Sequence, residues 1–89
     1  GYWLSEHAMG KGLMTLSVRR LCQYGFDRGL NRIELRAAVD NERSWKIAER
    51  IGFQREGILR QVEQLPDGFV DHYMYSMLQE DWQQLSYTL

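Results

Sequence analysis

Two glycines one residue apart, Gly10 and Gly12, follow a short apolar and aromatic run, Gly1-Tyr2-Trp3-Leu4, and a polar break, Ser5-Glu6-His7-Ala8. The run reads as a strand, and the break ends it. From Leu13 onward Met14, Val18, Leu21, Cys22, Gly25 and Phe26 recur at three- and four-residue steps, with Arg19, Arg20, Gln23, Asp27 and Arg28 elsewhere. That period predicts an amphipathic helix ending near Gly29. A glycine turn feeding a helix leaves unpaired N–H groups and the positive end of the helix dipole aimed at the turn. Without Cβ atoms in the way a ligand can come close to that backbone, so residues 1–15 read as an anion cradle suited to phosphate.

The remainder supplies a scaffold. Ile33, Leu35, Ala37 and Val39 alternate with Glu34, Arg36 and Ala38, which predicts a strand over Arg32 to Val39. Asp40 or Asn41 offers an N-cap oxygen to a helix whose stripe is Trp45, Ala48 and Ile51 and which Gly52 closes, with Phe53 as the apolar contact of a Schellman-type end. Gln54 to Leu65 is a long extended run interrupted by Gly57, and Leu65-Pro66-Asp67-Gly68 is a turn that folds it back onto Phe69 to Leu78. The tail, Glu80 to Leu89, is expected to begin with a turn of helix around Asp81 and Trp82, and beyond that the sequence is silent. The order β-α-β-α-β-β predicts an α/β fold with a mixed sheet: a right-handed parallel crossover first, an antiparallel hairpin last.

Composition narrows the partners. Eleven basic and 12 acidic residues leave a net charge of −1, which provides no field for nucleic acid or an anionic membrane. No apolar run approaches the roughly 20 residues of a membrane span. The single cysteine, Cys22, excludes an internal disulfide and a cysteine metal cluster, no metal is expected, and a reducing cytoplasm fits. At 89 residues the chain is one small domain or part of one, yet it carries three Trp, five Tyr and three Phe. Either the core is dense or some faces need a partner.

These stretches together resemble the C-terminal half of a GCN5-related N-acetyltransferase, in the branch of the ribosomal-protein N-terminal (RimJ/RimL-type) acetyltransferases. Gly1-Tyr2-Trp3-Leu4 looks like that family's fourth strand. His7-Ala8-Met9-Gly10-Lys11-Gly12 matches its pyrophosphate loop, except that His7 replaces the usual Gln or Arg. Asn41-Glu42-Arg43-Ser44 and Ile51-Gly52-Phe53 resemble its Asn-x-x-Ser … Gly-Phe segment, and Glu56-Gly57 with the later hairpin resembles its closing strands. Competing phosphate loops fail: Lys11 is followed by Gly12 rather than Ser or Thr, and Thr15 stands where a dinucleotide fingerprint needs a third glycine.

The resemblance implies an acetyl-coenzyme A-dependent N-acetyltransferase whose cosubstrate lies between the strands Gly1 to Leu4 and Arg32 to Val39. It places Leu4, His7, Met9, Gly10, Lys11, Gly12, Leu13, Met14 and Asn41 against the coenzyme. It makes Ser44 the acid to the departing thiolate and Glu63, nineteen residues later, the base for the amine; Ala48 occupies the position where many relatives carry a tyrosine. Such a transfer needs a neutral amine, a donor for the carbonyl, here a backbone N–H of Trp3 or Leu4, and a proton for the sulfur. Bland readings stand beside these roles. Ser44 in a helix's first turn can bond its own backbone, Glu63 can be a solvated strand residue, Lys11 can be a solvated surface charge and Asn41 a simple cap. Neither His7 nor His72 is expected to be the base, since His7 belongs to the anion loop and His72 has no orienting partner visible in the sequence. The acceptor is expected to be a protein N-terminus, with a polyamine, an antibiotic or another small amine as the alternative, and a non-catalytic coenzyme- or protein-binding module as a reading of another class. The family's N-terminal half is not among residues 1–89; the expected reading is that this part was lost, cleaved or left out, and only if the 89 residues were the whole polypeptide would the exposed first strand predict a homodimer or a partner chain.

Overall fold

A computed structural model describes residues 11–88. The expected strand at 1–4, and with it the parallel crossover that would make the sheet mixed, lies outside them. Six elements follow one another: α1 (Lys11–Asp27), β1 (Arg32–Ala38), α2 (Glu42–Ile51), β2 (Gln54–Leu65), β3 (Gly68–Leu78) and α3 (Gln79–Thr88). The described strands form one sheet in the order β1-β3-β2, antiparallel throughout. None of the described helices is long and apolar enough to cross a membrane.

Both early helices stop on the same device. Gly29 and Gly52 take φ of 89° and 117°, a conformation that costs a side chain about 1–2 kcal/mol and glycine nothing. After α1 the N–H of Leu30 donates to Gly25 O and that of Gly29 to Phe26 O; after α2 the N–H of Phe53 donates to Ala48 O and that of Gly52 to Glu49 O. This is the paired bonding of a Schellman end, and it satisfies carbonyls that the helix leaves open. Its apolar contact explains a mid-helix glycine. A Cβ on Gly25 would stand 2.9 Å from Leu30 Cδ1 and 3.2 Å from Ile33 Cδ1, so the missing side chain is the seat of Leu30.

The core lies between the helices and one face of the sheet. Val18, Cys22 and Phe26, four residues apart on α1, meet Ile47, Ala48 and Ile51 of α2, with Phe53, Tyr75 and Met77. Register explains the sheet's share: Ile33, Leu35 and Ala37 pair with Met77, Tyr75 and Tyr73, and paired residues share a face. Ile47 lies beside the expected stripe of Trp45, Ala48 and Ile51, and it is more deeply buried than Trp45. Tyr75, fully buried, donates its hydroxyl to Glu49 Oε2 at 2.8 Å and accepts from Arg55 Nε at 3.1 Å, while Arg55 lies 3.9 Å over the Tyr73 ring. On the opposite face Arg32 holds Glu56 through two nitrogens at 2.8 and 2.6 Å, and Ser76 Oγ donates to the same carboxylate at 2.7 Å.

The tail goes further than the sequence reading: the turn expected around Asp81 and Trp82 is part of α3, which runs for ten residues. The Leu78 N–H donates to Asp81 Oδ2 at 3.2 Å, an acid reaching back over the helix start, and Trp82 stacks on Phe26 at 6.0 Å between centroids. The Phe26 contact comes from far away in the chain, so no local period announces it.

Candidate functional site

The C-terminal end of β1 gathers the chemistry. Beyond Ala38 the Val39 N–H still donates to Asp71 O at 3.0 Å, so the start of α2 is tied to the middle of β3. Asn41 caps α2: its Oδ1 accepts from the Ser44 N–H at 3.3 Å, as its residue type requires. Trp45 Nε1 donates to Val39 O at 3.2 Å and its ring meets Tyr73 edge to face at 5.7 Å, which fixes the first turn against the sheet. Ser44 is half-buried there. Its hydroxyl makes no hydrogen bond to another described residue, so the local backbone bond of the bland reading does not form.

Glu63 reaches the same end from β2, and a bulge carries it there. Leu59 pairs with His72; a regular ladder would then set Glu63 opposite Gly68, yet it stands opposite Val70. Two extra β2 residues are absorbed on the way, which moves Glu63 about 7 Å towards His72 at roughly 3.3 Å per residue. The bulge holds Gln61 at φ 52°, a left-handed conformation for a residue with a side chain, and Asp71 Oδ1 accepts its N–H at 2.8 Å. Glu63 Oε1 then lies 2.9 Å from His72 Nε2. This corrects the sequence reading: His72 does have an orienting partner. The signal was present as residue types, but the bulge that aligns them depends on Asp71, ten residues from Gln61.

Ser44 and Glu63 therefore lie at one end of the sheet but on opposite faces. α2 covers the face of Tyr73 and Tyr75, whereas Glu63 lies with His72 on the other. No hydrogen bond joins them.

Of the residues expected at the coenzyme, Leu4, His7, Met9 and Gly10 lie outside the described part. Lys11, Gly12, Leu13 and Met14 belong to the first turn of α1 rather than to a loop before it. Their amides are among the donors a helix start leaves unpaired, and the space a Gly12 Cβ would take is open. Away from that turn a cleft of about 850 Å³ follows β1, lined by Leu21, Tyr24 and Arg28 of α1, by β1 from Arg32 to Arg36 and by His72. Among the described residues no strand pairs with the outer edge of β1, so its N–H and C=O groups face this cleft.

Comparison with known proteins adds the following. Residues 1–54 match the family model described as an acetyltransferase (GNAT) domain. The YdaF protein of Bacillus subtilis (strain 168) is 39% identical over 84 residues, which cover 93% of this chain and 46% of that protein. The ribosomal-protein-serine acetyltransferase of Escherichia coli (strain K12) is 35% identical over 79 residues, 88% of this chain and 44% of that one. Among solved structures, the microcin C7 self-immunity acetyltransferase MccE, in complex with acetyl-CoA and AMP, superposes with a TM-score of 0.74 at 37% identity, covering 88% of this chain and 44% of its own. The chain thus spans about half the length of the curated relatives it matches.

Proposed function

The chain belongs to the acetyltransferase (GNAT) domain family, and from that premise we propose that it carries the coenzyme-binding part of an enzyme that transfers acetyl from acetyl-coenzyme A to the N-terminal amine of a protein. The observation that carries this reading is the end of the sheet where Asn41 caps α2, the Ser44 hydroxyl has no hydrogen-bond partner among the described residues and a bulge delivers Glu63. The first-turn amides of α1 suit the coenzyme's diphosphate, and the outer edge of β1 suits the amides of its extended arm. A protein N-terminus is the acceptor because the relative of E. coli is named for ribosomal-protein serine acetylation. An α-amine, with an ordinary pKa of about 7.7–8.0, also reaches its nucleophilic form near neutrality with modest help.

In this mechanism the amine nitrogen attacks the thioester carbon, forming the N–C bond as the C–S bond breaks. The Glu63 carboxylate takes the amine's proton and the Ser44 hydroxyl supplies one to the departing sulfur; both groups are restored through solvent. The coenzyme's binding is tested by thermal unfolding of the full-length protein: no shift at saturating acetyl-coenzyme A sinks the reading. Turnover is tested by mass spectrometry of N-terminal peptides. Ser44→Ala and Glu63→Gln are expected to slow kcat by roughly 10²- to 10⁴-fold, and rates within a few-fold of wild type would refute the assigned roles.

A further inference from the structure

We propose that His72 is a positioning residue for Glu63, fixing the carboxylate so that one oxygen stays free for the acceptor amine. The inference rests on the acetyl-transfer reading, in which Glu63 takes that amine's proton. Three observations support it, beginning with the hydrogen bond. A carboxylate can only accept, so the His72 Nε2 at 2.9 Å from Glu63 Oε1 carries the hydrogen, and Glu63 Oε2 makes no bond within the described chain.

The ring itself is held. The His72 side chain is only 15% exposed against 46% for Glu63, and its Nδ1 is buried without a partner among the described residues. On β3 it sits between Ala38 of β1 and Leu59 of β2, in the middle strand of the sheet. An imidazole so enclosed is a rigid donor for a glutamate on an exposed hairpin, whose free side chain would otherwise sample many rotamers. A buried ring nitrogen without a partner among the described residues is a cost a purely structural side chain need not carry.

The backbone is bent to make the pair. Gln61 adopts its left-handed φ in the bulge that moves Glu63 from opposite Gly68 to opposite Val70, and Asp71, next to His72, accepts the Gln61 N–H. One strand thus contributes both the histidine that holds the carboxylate and the aspartate that holds the bulge. Strain of this kind persists only where surrounding structure enforces it. His72 also lines the cleft along β1, so the residue that holds the carboxylate is itself part of that cleft.

Steady-state kinetics on the full-length protein test the role. His72→Ala is expected to lower kcat about 10- to 100-fold, the scale of losing a positioned group, with KM for acetyl-coenzyme A within about twofold of wild type. His72→Gln, whose amide N–H2 falls near the place of Nε2, is expected to recover most of that loss. Added to Glu63→Gln, His72→Ala is expected to change nothing further, because it acts through the residue already removed. The ¹⁵N resonances of the ring report the same pair without turnover: hydrogen on Nε2 in wild type, and a displaced Nε2 signal in Glu63→Gln. Should the alanine variant not fold, His72→Asn, whose amide falls short of Glu63, serves as the loss variant. The proposal is overturned by a His72→Ala kcat within twofold of wild type, by equal losses with and without Glu63, or by a ring bearing its hydrogen on Nδ1. A wild-type protein with no turnover on any peptide would sink the transfer reading itself, and this role with it, before any substitution is compared.

Discussion

Replacing Gly52 by alanine perturbs the end of α2 in two separable ways. At φ 117° and ψ 11° an L-residue is outside its favoured regions, which costs about 1–2 kcal/mol. The new Cβ would also stand 2.8 Å from Leu85 Cδ1, whereas carbon atoms rest at about 3.5–4.0 Å. Leu85 must move away from the core it packs against, and overpacking of this kind adds about 1–3 kcal/mol. Gly29 provides the control: its φ is 89°, and nothing lies within 4 Å of where its Cβ would be. Before the entropic gain of about 0.4–1 kcal/mol from stiffening the unfolded chain, which is common to both, Gly29→Ala should therefore lose about 1–2 kcal/mol and Gly52→Ala about 2–5. Urea unfolding of the full-length protein, read as midpoint shifts at constant m, measures the difference. In a Leu85→Ala background the Gly52→Ala increment should fall to that of Gly29→Ala. Equal losses for the two single variants, or an increment unchanged by removal of Leu85, would refute the steric part of this account.

Other perturbations are equally direct. Tyr75→Phe removes the hydroxyl shared by Glu49 and Arg55; since water can reach both partners, the loss should be about 1 kcal/mol by chemical unfolding. The Arg32 guanidinium, helped by Ser76, holds the Glu56 carboxyl down to about 2, well below its ordinary value. A lowered carboxylate stabilises the folded state above its unfolded pKa, and that contribution disappears as pH falls through about 4.3 towards 2. The stability gap between wild type and Glu56→Gln should therefore narrow on going from pH 6 to pH 3, and a constant gap across unfolding curves at those pH values would contradict it. Burial pushes the Cys22 thiol up to about 11, so an aromatic disulfide reagent should label it only as fast as the protein unfolds.

Much of the fold is legible because its signals are local. The Asn41 cap, the Gly29 and Gly52 ends, the alternation from Arg32 to Ala38 and the Pro66-Asp67 turn each depend on residues within a few positions of one another. What escaped depends on distant partners. α3 is held by Trp82 on Phe26 and Leu85 beneath Gly52, and its own sequence has too weak a period to declare ten helical residues. Gly57 marks the first irregularity of β2, but the second contains no glycine: Gln61 is held left-handed by the side chain of Asp71. The candidate site divides in the same way. Asn41 is legible as a cap, and Ser44 through the resemblance that its segment carries. The pairing of Glu63 with His72 is not, since a regular hairpin would have kept them apart.

Strand β3 sends Tyr73, Tyr75 and Met77 into the core and, by the pleat, presents Val70, His72 and Met74 on the other face. The two duties are interleaved along one segment without sharing a residue. A lineage could therefore exchange the residues of the His72 face one at a time, at alternate positions, while the packing that keeps the domain folded is inherited intact. Change on the His72 face requires no change in how the chain folds, and the central strand would record it as a period of two in which residues vary.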